Sequence, residues 1–429
     1  MRVLIVSPHF PPVNAPDMQR VRMLLPYLRE NGVDSELLAV EPAQVACGRD
    51  PWLVDGLPPD VPVHRVRALG LRWAKVPGLG TLGFRALRAL CKRGDELLAS
   101  KHFDLIYFST TVFEVHVLGP RWKKKFGVPF IMDYQDPWVN DYYREHPNVL
   151  PPGGRIKYAA IDFIHRHMEP AVLRHCAGIT AVSPAYPPQL ARRYPQSGEL
   201  PALVMPFPGD PLDLQRAGSS HLTQSIFQAD DGLVHWVYAG VVIPAMHGTL
   251  RALFRALAES AEADLLARLR LHFIGTNYGI ASQAQPVVAP IAAEYGLQSQ
   301  LREHPARIAY SEMLVCLRQA HALLVIGSDD AGYTASKVYP YLLARRPLLT
   351  LFHQDSSIVT LLNQVRGGVC VPFGDVLEES ALAATIADLW LTEQQYARVT
   401  PLDETAFASY LAPSQAKSLC KFLKSIIPS

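Results

Sequence analysis

The chain has 429 residues, more than the roughly 250 to 300 at which single hydrophobic cores usually stop growing, so we expect two domains. Its 41 lysines and arginines nearly balance 39 aspartates and glutamates, which argues against a protein built to neutralise nucleic-acid phosphates. The six cysteines show no CxxC pair, so neither a zinc site nor a disulfide framework is indicated, and we expect buried reduced thiols.

The apolar start at residues 3–6 is too short for the apolar region of a signal peptide. No apolar run approaches the roughly 18 residues of a membrane-spanning helix. We therefore expect a cytoplasmic protein, either soluble or peripheral at the inner face of the membrane.

Short apolar runs closed by turn residues predict buried parallel strands. They lie at residues 3–6, 35–40, 105–108, 130–132, 178–182, 233–238, 271–274, 322–326, 347–351 and 368–371. Helical periodicity falls between them, including residues 18–31, 85–100, 250–267, 311–320, 336–344 and 377–391. This alternation predicts a doubly wound α/β fold.

The alternation runs twice, with an interruption rich in proline and glycine at residues 194–225. We predict an N-terminal domain at residues 1–200 and a C-terminal domain at residues 201–406. Residues 407–429 form an amphipathic helical segment that is able to pack back across either domain.

Four phrases follow in a characteristic order along the chain. Residues 7–14 read SPHFPPVN, residues 133–138 read DYQDPW, residues 179–183 read ITAVS and residues 205–209 read MPFPG. Together with the two Rossmann-like halves, they resemble retaining GT-B glycosyltransferases, especially bacterial members of family 4 (group 1). The resemblance spans nearly the whole chain. It implies two Rossmann-like domains facing a cleft, with the acceptor bound by the first and the nucleotide-sugar donor by the second.

The turn at residues 332–337, which reads GYTASK, is the strongest candidate for binding the donor diphosphate. It follows a predicted strand and opens a predicted helix, whose free amides carry a partial positive charge. The hydroxyls of Thr334 and Ser336 and the ammonium group of Lys337 add further donors. A capped surface helix with a solvated lysine is the alternative.

The resemblance implies further donor contacts from other loops. The loop that ends at Asn14 would approach the phosphates with its backbone, and His247 takes the place of a phosphate-binding lysine, with a plain turn histidine as the alternative. Residues 273–279 resemble the border of the base pocket, and residues 307–310 its base-contacting segment. The predicted donor-binding residues are Asn14, Gly240, His247, Gly275, Ile308, Tyr333, Thr334, Ala335, Ser336 and Lys337.

The sequence departs from the family pattern in two places. Many members carry two glutamates eight positions apart, of which the second holds the ribose; the matching positions here are near Gly332 and at Pro340. Proline is tolerated in the first turn of a helix but offers no carboxylate, so Asp329 or Asp330 would have to replace it unless both only shape the turn. The Arg and Lys that clamp the diphosphate in relatives are also missing from residues 241–248.

Sugar transfer requires stabilising the departing diphosphate, placing the acceptor hydroxyl and removing its proton. Lys337 is predicted to serve the leaving group. For the proton and the sugar hydroxyls, the candidates are Glu114, His116, Asp133 and Asp136. We predict His116, Asp136 and Lys337 as catalytic; a buried helix histidine and a turn-forming Asp-Pro are the alternatives for the first two.

Neither a glycosidase-type carboxylate pair nor a metal cluster is recognisable, and the family generally works without metal. We expect a metal-independent, hexosyltransferase-like enzyme without a cofactor, whose substrate is a nucleotide-diphosphate sugar; retention of configuration is implied only by the resemblance. At residues 65–93, basic and apolar residues alternate, which suits an anionic membrane surface and a lipid-linked acceptor. A packed helix with a solvated basic face is the alternative.

We therefore predict a glycosyltransferase of polysaccharide or glycoconjugate biosynthesis, acting on a glycan, lipid-linked or other hydroxyl acceptor. A non-catalytic GT-B scaffold that binds a nucleotide or a protein partner is the main alternative. Pro340 and the missing clamp favour the scaffold, whereas residues 334–337 and the Asp-Pro-Trp phrase favour the enzyme. A nucleotide-sugar 2-epimerase comes third, because it would need a set of catalytic acids that the sequence does not reveal.

Overall fold

The computed structural model describes residues 1–76, 78–145, 147, 151, 154–219, 221–277 and 284–427. The chain divides into a first unit, Met1–Pro208 with Ala412–Ser429, and a second unit, Gly209–Leu411. The first unit thus ends inside the proline-rich stretch at residues 194–225, of which Ser220 lies outside the described residues. Across the described ranges, no helix has both the length and the apolar character needed to span a bilayer.

The first unit is built on a seven-stranded parallel sheet. Its strands are β1 (Arg2–Val6), β2 (Asp34–Val40), β3 (Val63–Val66), β4 (Leu105–Ser109), β5 (Phe130–Tyr134), β6 (Gly178–Ala181) and β7 (Ala202–Val204). They are ordered β3-β2-β1-β4-β5-β6-β7, with Val6 opposite Phe108 where β1 meets β4. The strand order reverses between β1 and β4, and open α/β sheets bind their ligands beyond the carboxyl ends of the strands at such a switch point.

Helices connect these strands. They are α1 (Gln19–Leu28), α2 (Leu82–Ser100), α3 (Leu118–Phe126), α4 (Tyr142–Glu145), α5 (Arg155–Leu173) and α6 (Tyr186–Arg193), with short 3-10 helices that include Leu71–Lys75 and Phe113–Val117. The Thr81 hydroxyl caps α2 by accepting from the amide of Phe84. Gly94 lets α2 approach α3, because a Cβ atom there would lie 2.2 Å from the Trp122 ring.

The second unit repeats this plan with six parallel strands. They are β8 (Val234–Ala239), β9 (Leu269–Ile274), β10 (Leu301–His304), β11 (Ala322–Ile326), β12 (Leu348–His353) and β13 (Val369–Phe373), ordered β10-β9-β8-β11-β12-β13. The order reverses between β8 and β11, which places a second switch point there. Every side chain of β11 is buried, as expected of a central parallel strand.

The helices of the second unit are α7 (Pro211–Ser219), α8 (His247–Ser260), α9 (Ala263–Arg268), α10 (Ala289–Glu294), α11 (Tyr310–Gln319), α12 (Val338–Leu343), α13 (Ser357–Val365), α14 (Glu379–Ile386) and α15 (Glu404–Phe407). The last helix, α16 (Ala412–Ile426), belongs to the first unit and packs against α1. There Lys424 donates to the Asn31 carbonyl, and Cys420 is buried.

The structure confirms the doubly wound α/β fold, and each of the ten predicted strands is present. The short strands β3, β7 and β10 were not predicted, because they lie at sheet edges and lack the continuous apolar run of a strand buried on both faces. Two helices differ from expectation: residues 250–267 divide into α8 and α9, and the helix expected from residue 336 begins at Val338.

Candidate functional site

The switch point of the second unit brings Gly240, which follows β8, against Lys337, which follows β11. Lys337 Nζ donates to the Tyr238 hydroxyl at 2.7 Å and lies 4.1 Å from the centre of that ring. A Cβ atom on Gly240 would lie 2.2 Å from Lys337 Nζ, so any larger residue would push the lysine out of place. Gly240 is therefore needed to seat Lys337.

Lys337 shares this region with a second cation, Arg307, which follows β10. Burial and the positive charge of Arg307 lower the pKa of Lys337 to about 7. Arg307 packs near Gly275, its Cγ atom 3.5 Å from where a Cβ of that glycine would stand. Within the described part of the chain, neither cation forms an ion pair with a carboxylate. Two neighbouring cations without an acid between them make a site that favours an anion.

The residues before Lys337 are shaped by their own side chains. Asp330 Oδ1 accepts from the Gly332 amide at 2.8 Å, which closes a turn. The Thr334 hydroxyl lies 3.1 Å from that of Ser357, and the Tyr333 ring packs against the hydrophobic core. The carboxylate of Asp330 thus supports the turn rather than standing free.

The amides at residues 334–337 donate to no acceptor among the described residues, although Ala335 is buried. The helix expected to begin at Ser336 begins only at Val338, so these amides belong to the preceding turn rather than to the helix. Pro340 is the third residue of α12, where the amide that proline lacks would be unpaired anyway. Amide groups without an acceptor in a turn are typical of anion sites, so the turn supplies candidate donors.

His247 is the first residue of α8 and is half-buried. Burial and the positive charge of Arg251 lower its pKa, so the imidazole is mainly neutral at pH 7. The expected role as a protonated phosphate ligand is therefore not favoured, and His247 would contribute only the N–H of a neutral ring.

The segments expected to border the base lie beyond β9 and β10. Gly275 has a φ of +69° and donates its amide to the His304 carbonyl at 2.7 Å, so a left-handed turn ends β9. Ile308 is half-buried against the core, whereas Tyr310 is tied to Asp213 by a hydrogen bond of 3.1 Å. Residues 278–279 of the predicted base-pocket border lie outside the described residues.

The switch point of the first unit holds a pair that the sequence did not single out, His9 and Asp17. His9 Nδ1 lies 2.8 and 3.0 Å from the two carboxylate oxygens of Asp17. The same carboxylate accepts from the Thr110 hydroxyl at 2.8 Å and from the Thr111 amide at 3.1 Å. Residues after β1 and β4 thus converge on one buried carboxylate.

Asp133 and Asp136 follow the neighbouring strand but differ in role. Asp133 is buried and surrounded by partners within 2.9 Å, namely Arg20, Ser109, Gln135 and Thr180. It therefore holds the sheet and α1 together and leaves little room for a substrate. Asp136 reaches solvent, and crowding by protein atoms together with the negative charge of Asp17 raises its pKa to about 7. Of the two, Asp136 is the one able to meet a ligand.

His116 is only 2% exposed and lies between aromatic rings of the core. Its Nδ1 donates to the Phe113 carbonyl at 2.8 Å, and Nε2 has no hydrogen-bond partner in the described ranges. Burial lowers the pKa of His116 to about 4, so the ring is neutral at pH 7. His116 is thus a hydrogen-bond acceptor and a poor proton acceptor.

Two other predicted site residues of the first unit already have partners within the protein. Glu114 is buried and pairs with His165 at 3.5 Å, which explains it without a ligand. The Asn14 amide donates to the Gly48 carbonyl at 2.8 Å. The Asn14 N–H is thus used inside the loop, whereas the expectation that this loop approaches the donor phosphates with its backbone stays a prediction.

Of the described side chains, only His353, Asp355 and Asp375 have the spacing of metal ligands. Both carboxylates are exposed, and His353 Nε2 lies 3.0 Å from Asp375 Oδ1, which an ordinary ion pair explains. All six cysteines are free thiols; Cys176, Cys316 and Cys420 are buried and Cys47 is exposed.

Comparison with known proteins relates part of the chain to a glycosyltransferase family. A family model described as a glycosyl transferase 4-like domain matches residues 18–203. A search of curated protein sequences finds no match. Among solved structures, the N-terminal domain of trehalose-6-phosphate phosphatase from Candida albicans is similar at a TM-score of 0.65 and 15% identity, covering 99% of this chain and 96% of that chain.

Two more structures show the same fold. Sucrose-phosphate synthase from Thermosynechococcus elongatus has a TM-score of 0.64 and 14% identity, covering 99% of this chain and 98% of that chain. HepE from Anabaena in complex with UDP-glucose has a TM-score of 0.58 and 13% identity, covering 99% and 100%. The resemblance to family 4 of the GT-B glycosyltransferases is thus confirmed: residues 18–203 belong to the glycosyl transferase 4-like domain family, and the whole chain has a GT-B-type fold.

Proposed function

We propose that the protein transfers a sugar from a nucleotide-diphosphate sugar to a hydroxyl acceptor, with retention of configuration, during synthesis of a polysaccharide or glycoconjugate. The observation that carries this proposal is the pair Lys337 and Arg307 beside the free amides at residues 334–337, at the switch point of the second unit. A fold of the same type, HepE, has been solved with UDP-glucose.

The geometry suits a departing diphosphate. As the bond from sugar to phosphate breaks, negative charge grows on the leaving group, and groups fixed in advance stabilise that charge most effectively. Lys337 is held by Tyr238 and by the space that Gly240 leaves, so it needs little reorganisation. Together with Arg307, it supplies positive charge of the kind that a metal ion supplies in other transferases, which supports metal-independent transfer.

The first unit offers a group for a hydroxyl. Asp136 changes its protonation state near pH 7, so it accepts from a hydroxyl when ionised. We assign Asp136 to the acceptor side and Lys337 to the leaving group; His116, 2% exposed between aromatic rings, is left out of this assignment.

The non-catalytic scaffold remains the second candidate, since the loss of an acid at Pro340 favours it. A scaffold would bind the nucleotide as tightly as the enzyme does but would leave the sugar attached. Binding and turnover must therefore be measured separately.

We assign the acceptor to a lipid-linked class because of an exposed apolar surface on the first unit. Leu71, Trp73 and Val76 are 40% to 43% exposed, and on α5 Ile156 is 90% and Phe163 is 66% exposed. The start of α5 lies near residues 71–76, because both are close to Gly80. The Lys157 side chain and the Ala74 carbonyl oxygen each lie 3.7 Å from the position that a Cβ atom on Gly80 would take. The exposed basic residues of these segments are Arg67, Arg72, Lys75, Arg155 and Lys157.

The exposed surface covers only part of the membrane-binding segment expected at residues 65–93. The second half of that segment lies in α2, where Arg85 is buried and donates to the carbonyls of Gln44 and Leu69. Only residues 67–76 combine exposed apolar and basic side chains, and α5 extends them. An apolar surface bordered by cations matches anionic lipid headgroups above acyl chains.

The test is a thermal-shift panel of UDP-, GDP-, ADP- and dTDP-sugars, followed by hydrolysis and transfer assays with the donor that stabilises most, in the presence of EDTA. We expect one donor to bind and to be turned over without metal. Lys337→Met should lose turnover, whereas Lys417→Met on the exposed face of α16 should not. Tight binding without turnover would favour the scaffold, and unchanged turnover in Lys337→Met would refute the leaving-group role.

A further inference from the structure

We propose that the first unit binds the phosphate group of a membrane lipid in the cavity between α4 and α5. The cavity has a volume of about 410 Å³, which is within the range of small-ligand pockets. This headgroup site depends on the membrane contact proposed above, and not on sugar transfer.

One face of α5 forms most of the cavity wall. Its lining residues are Arg155, Tyr158, Ala159, Asp162, Phe163 and Arg166. Their spacing of i, i+3, i+4, i+7, i+8 and i+11 puts them on a single stripe of the helix. Tyr143 and Arg144 of α4, with Pro147 and Pro151, complete the lining. All of these residues belong to the first unit.

Positive charge exceeds negative charge around the cavity. Arg166 is neutralised, because it donates to Asp162 at 2.8 Å and to Asp141 at 2.5 Å. Arg155 donates to a backbone carbonyl at 2.8 Å, and the Arg144 side chain is exposed. Neither of these two guanidinium groups pairs with a carboxylate of the described residues. Arg144 and Arg155 are therefore available to an anion.

A phosphate suits these two groups better than a carboxylate does. A guanidinium group presents parallel N–H groups that match two phosphate oxygens, and this pairing is stronger than a neutral hydrogen bond. A terminal phosphate has three acceptor oxygens, so it can serve two guanidinium groups at once, whereas a carboxylate has only two. Because α5 begins at Arg155, the partial positive charge of the helix start also lies beside the cavity.

The aromatic part of the wall suits the level of a lipid headgroup. The rings of Tyr143 and Tyr158 pack edge to face with their centres 5.1 Å apart. Tyrosine is enriched at membrane interfaces, because it combines an apolar ring with a polar hydroxyl. Phe163 lines the same cavity and is 66% exposed, so the cavity adjoins the exposed apolar surface. A lipid with its chains against that surface therefore reaches the cavity with its phosphate.

Vesicle binding separates this site from general attraction to negative charge. Phosphatidylcholine vesicles carry either phosphatidic acid or a diacylglycerol succinate, which bears a carboxylate instead of a phosphate, in amounts that give the same surface potential. We expect the wild type to bind the phosphatidic acid vesicles at least fivefold more tightly. Arg144→Gln with Arg155→Gln should abolish this preference.

The matched control is Arg72→Gln with Lys75→Gln, which removes the same charge from the exposed surface outside the cavity. It should weaken binding to both kinds of vesicle by about tenfold and keep the preference. Because the Arg144 side chain is exposed, Arg144→Gln alone should keep the thermal midpoint of the wild type and lose part of the preference.

Three results would overturn the headgroup site. They are equal binding of the wild type to the two kinds of vesicle, a preference that survives in Arg144→Gln with Arg155→Gln, and stabilisation by millimolar inorganic phosphate as large as that by phosphatidic acid vesicles. Absence of binding to either vesicle would overturn the membrane contact together with the site. These measurements need no turnover, so failure of sugar transfer is distinguishable from failure of the site.

Discussion

Donor binding should draw a proton into the protein at Lys337. The pKa of this lysine is about 7 without ligand, so only about a tenth of the molecules carry the charge at pH 8 and about nine tenths at pH 6. A diphosphate beside the amine favours the charged form and raises its pKa. Binding at pH 8 should therefore take up close to 0.9 proton, and binding at pH 6 only about 0.1.

The sign of the pH dependence follows from the same linkage. The bound state holds the proton, so affinity is constant below pH 7 and falls up to about tenfold for each pH unit above it. The diphosphate diester of a nucleotide sugar has no group that titrates between pH 6 and pH 8. The dependence in that range therefore belongs to the protein.

Isothermal titration calorimetry at pH 8 in two buffers with different ionisation enthalpies measures the uptake directly. The donor selected by thermal shift serves as ligand, and Lys337→Met is compared with the exposed control Lys417→Met. Lys337→Met should lose the proton uptake and weaken binding by about 10- to 100-fold at pH 6, where a charge-assisted hydrogen bond is lost. Lys337 is the single lysine between residues 209 and 411, so no other amine of the second unit can substitute.

A second variant checks the cause of the low pKa. Arg307→Gln removes the neighbouring cation, so the pKa of Lys337 should rise and the uptake at pH 8 should shrink, although affinity also falls. Equal proton uptake in Lys337→Met and wild type would refute the reasoning, as would an absence of uptake in wild type at pH 8.

Two further predictions concern stability and membrane binding. Burial, followed by the charge of His235, lowers the pKa of His272 to about 3, below its unfolded value near 6.5. The unfolded state therefore binds the proton first, and the free energy of unfolding of the second unit should fall by about 1.4 kcal/mol per pH unit between pH 6.5 and pH 4.5. Urea titrations at several pH values measure this slope, which His272→Asn should reduce. An unchanged slope in His272→Asn would contradict the prediction. The double variant Trp73→Ser, Phe163→Ser should bind phosphatidylglycerol vesicles at least tenfold more weakly than wild type, because each aromatic side chain buried in lipid contributes about 2 kcal/mol. The control Leu212→Ser, at an exposed apolar position of the second unit, should bind as wild type. Equal binding by all three proteins would exclude this surface as a membrane-binding site.

The central strands were predictable because burial on both faces leaves an uninterrupted apolar run, as in β11. Edge strands carry a weaker signal: β7 has two exposed residues out of three, so its sequence resembles a loop. The start of α12 was placed two residues early because the turn at residues 334–337 contains no residue that forbids helix.

The candidate site was only partly predictable for a different reason. Lys337 stands in a recognisable phrase, so its place after a strand could be read from the sequence. The pairing of His9 with Asp17, eight residues away, depends on where the loop after β1 folds relative to Thr110, and no local pattern specifies that. His116 shows the reverse case, because a plausible catalytic residue type proved to be enclosed by aromatic rings.

The departures from the family pattern weigh less against catalysis once the positions are known. Binding a diphosphate requires positive charge close to it, and the position of that charge matters more than which loop of the chain carries it. Relatives place that charge after the first strand of the second domain, where this chain has no Arg or Lys, but the sheet order brings Lys337 from the loop after β11 to Gly240 at that same strand. Pro340 lies beyond the free amides at residues 334–337, so its lack of a carboxylate removes a ribose contact without disturbing these amides. A missing ribose contact weakens ground-state and transition-state binding alike, which affects donor affinity more than the rate of the chemical step.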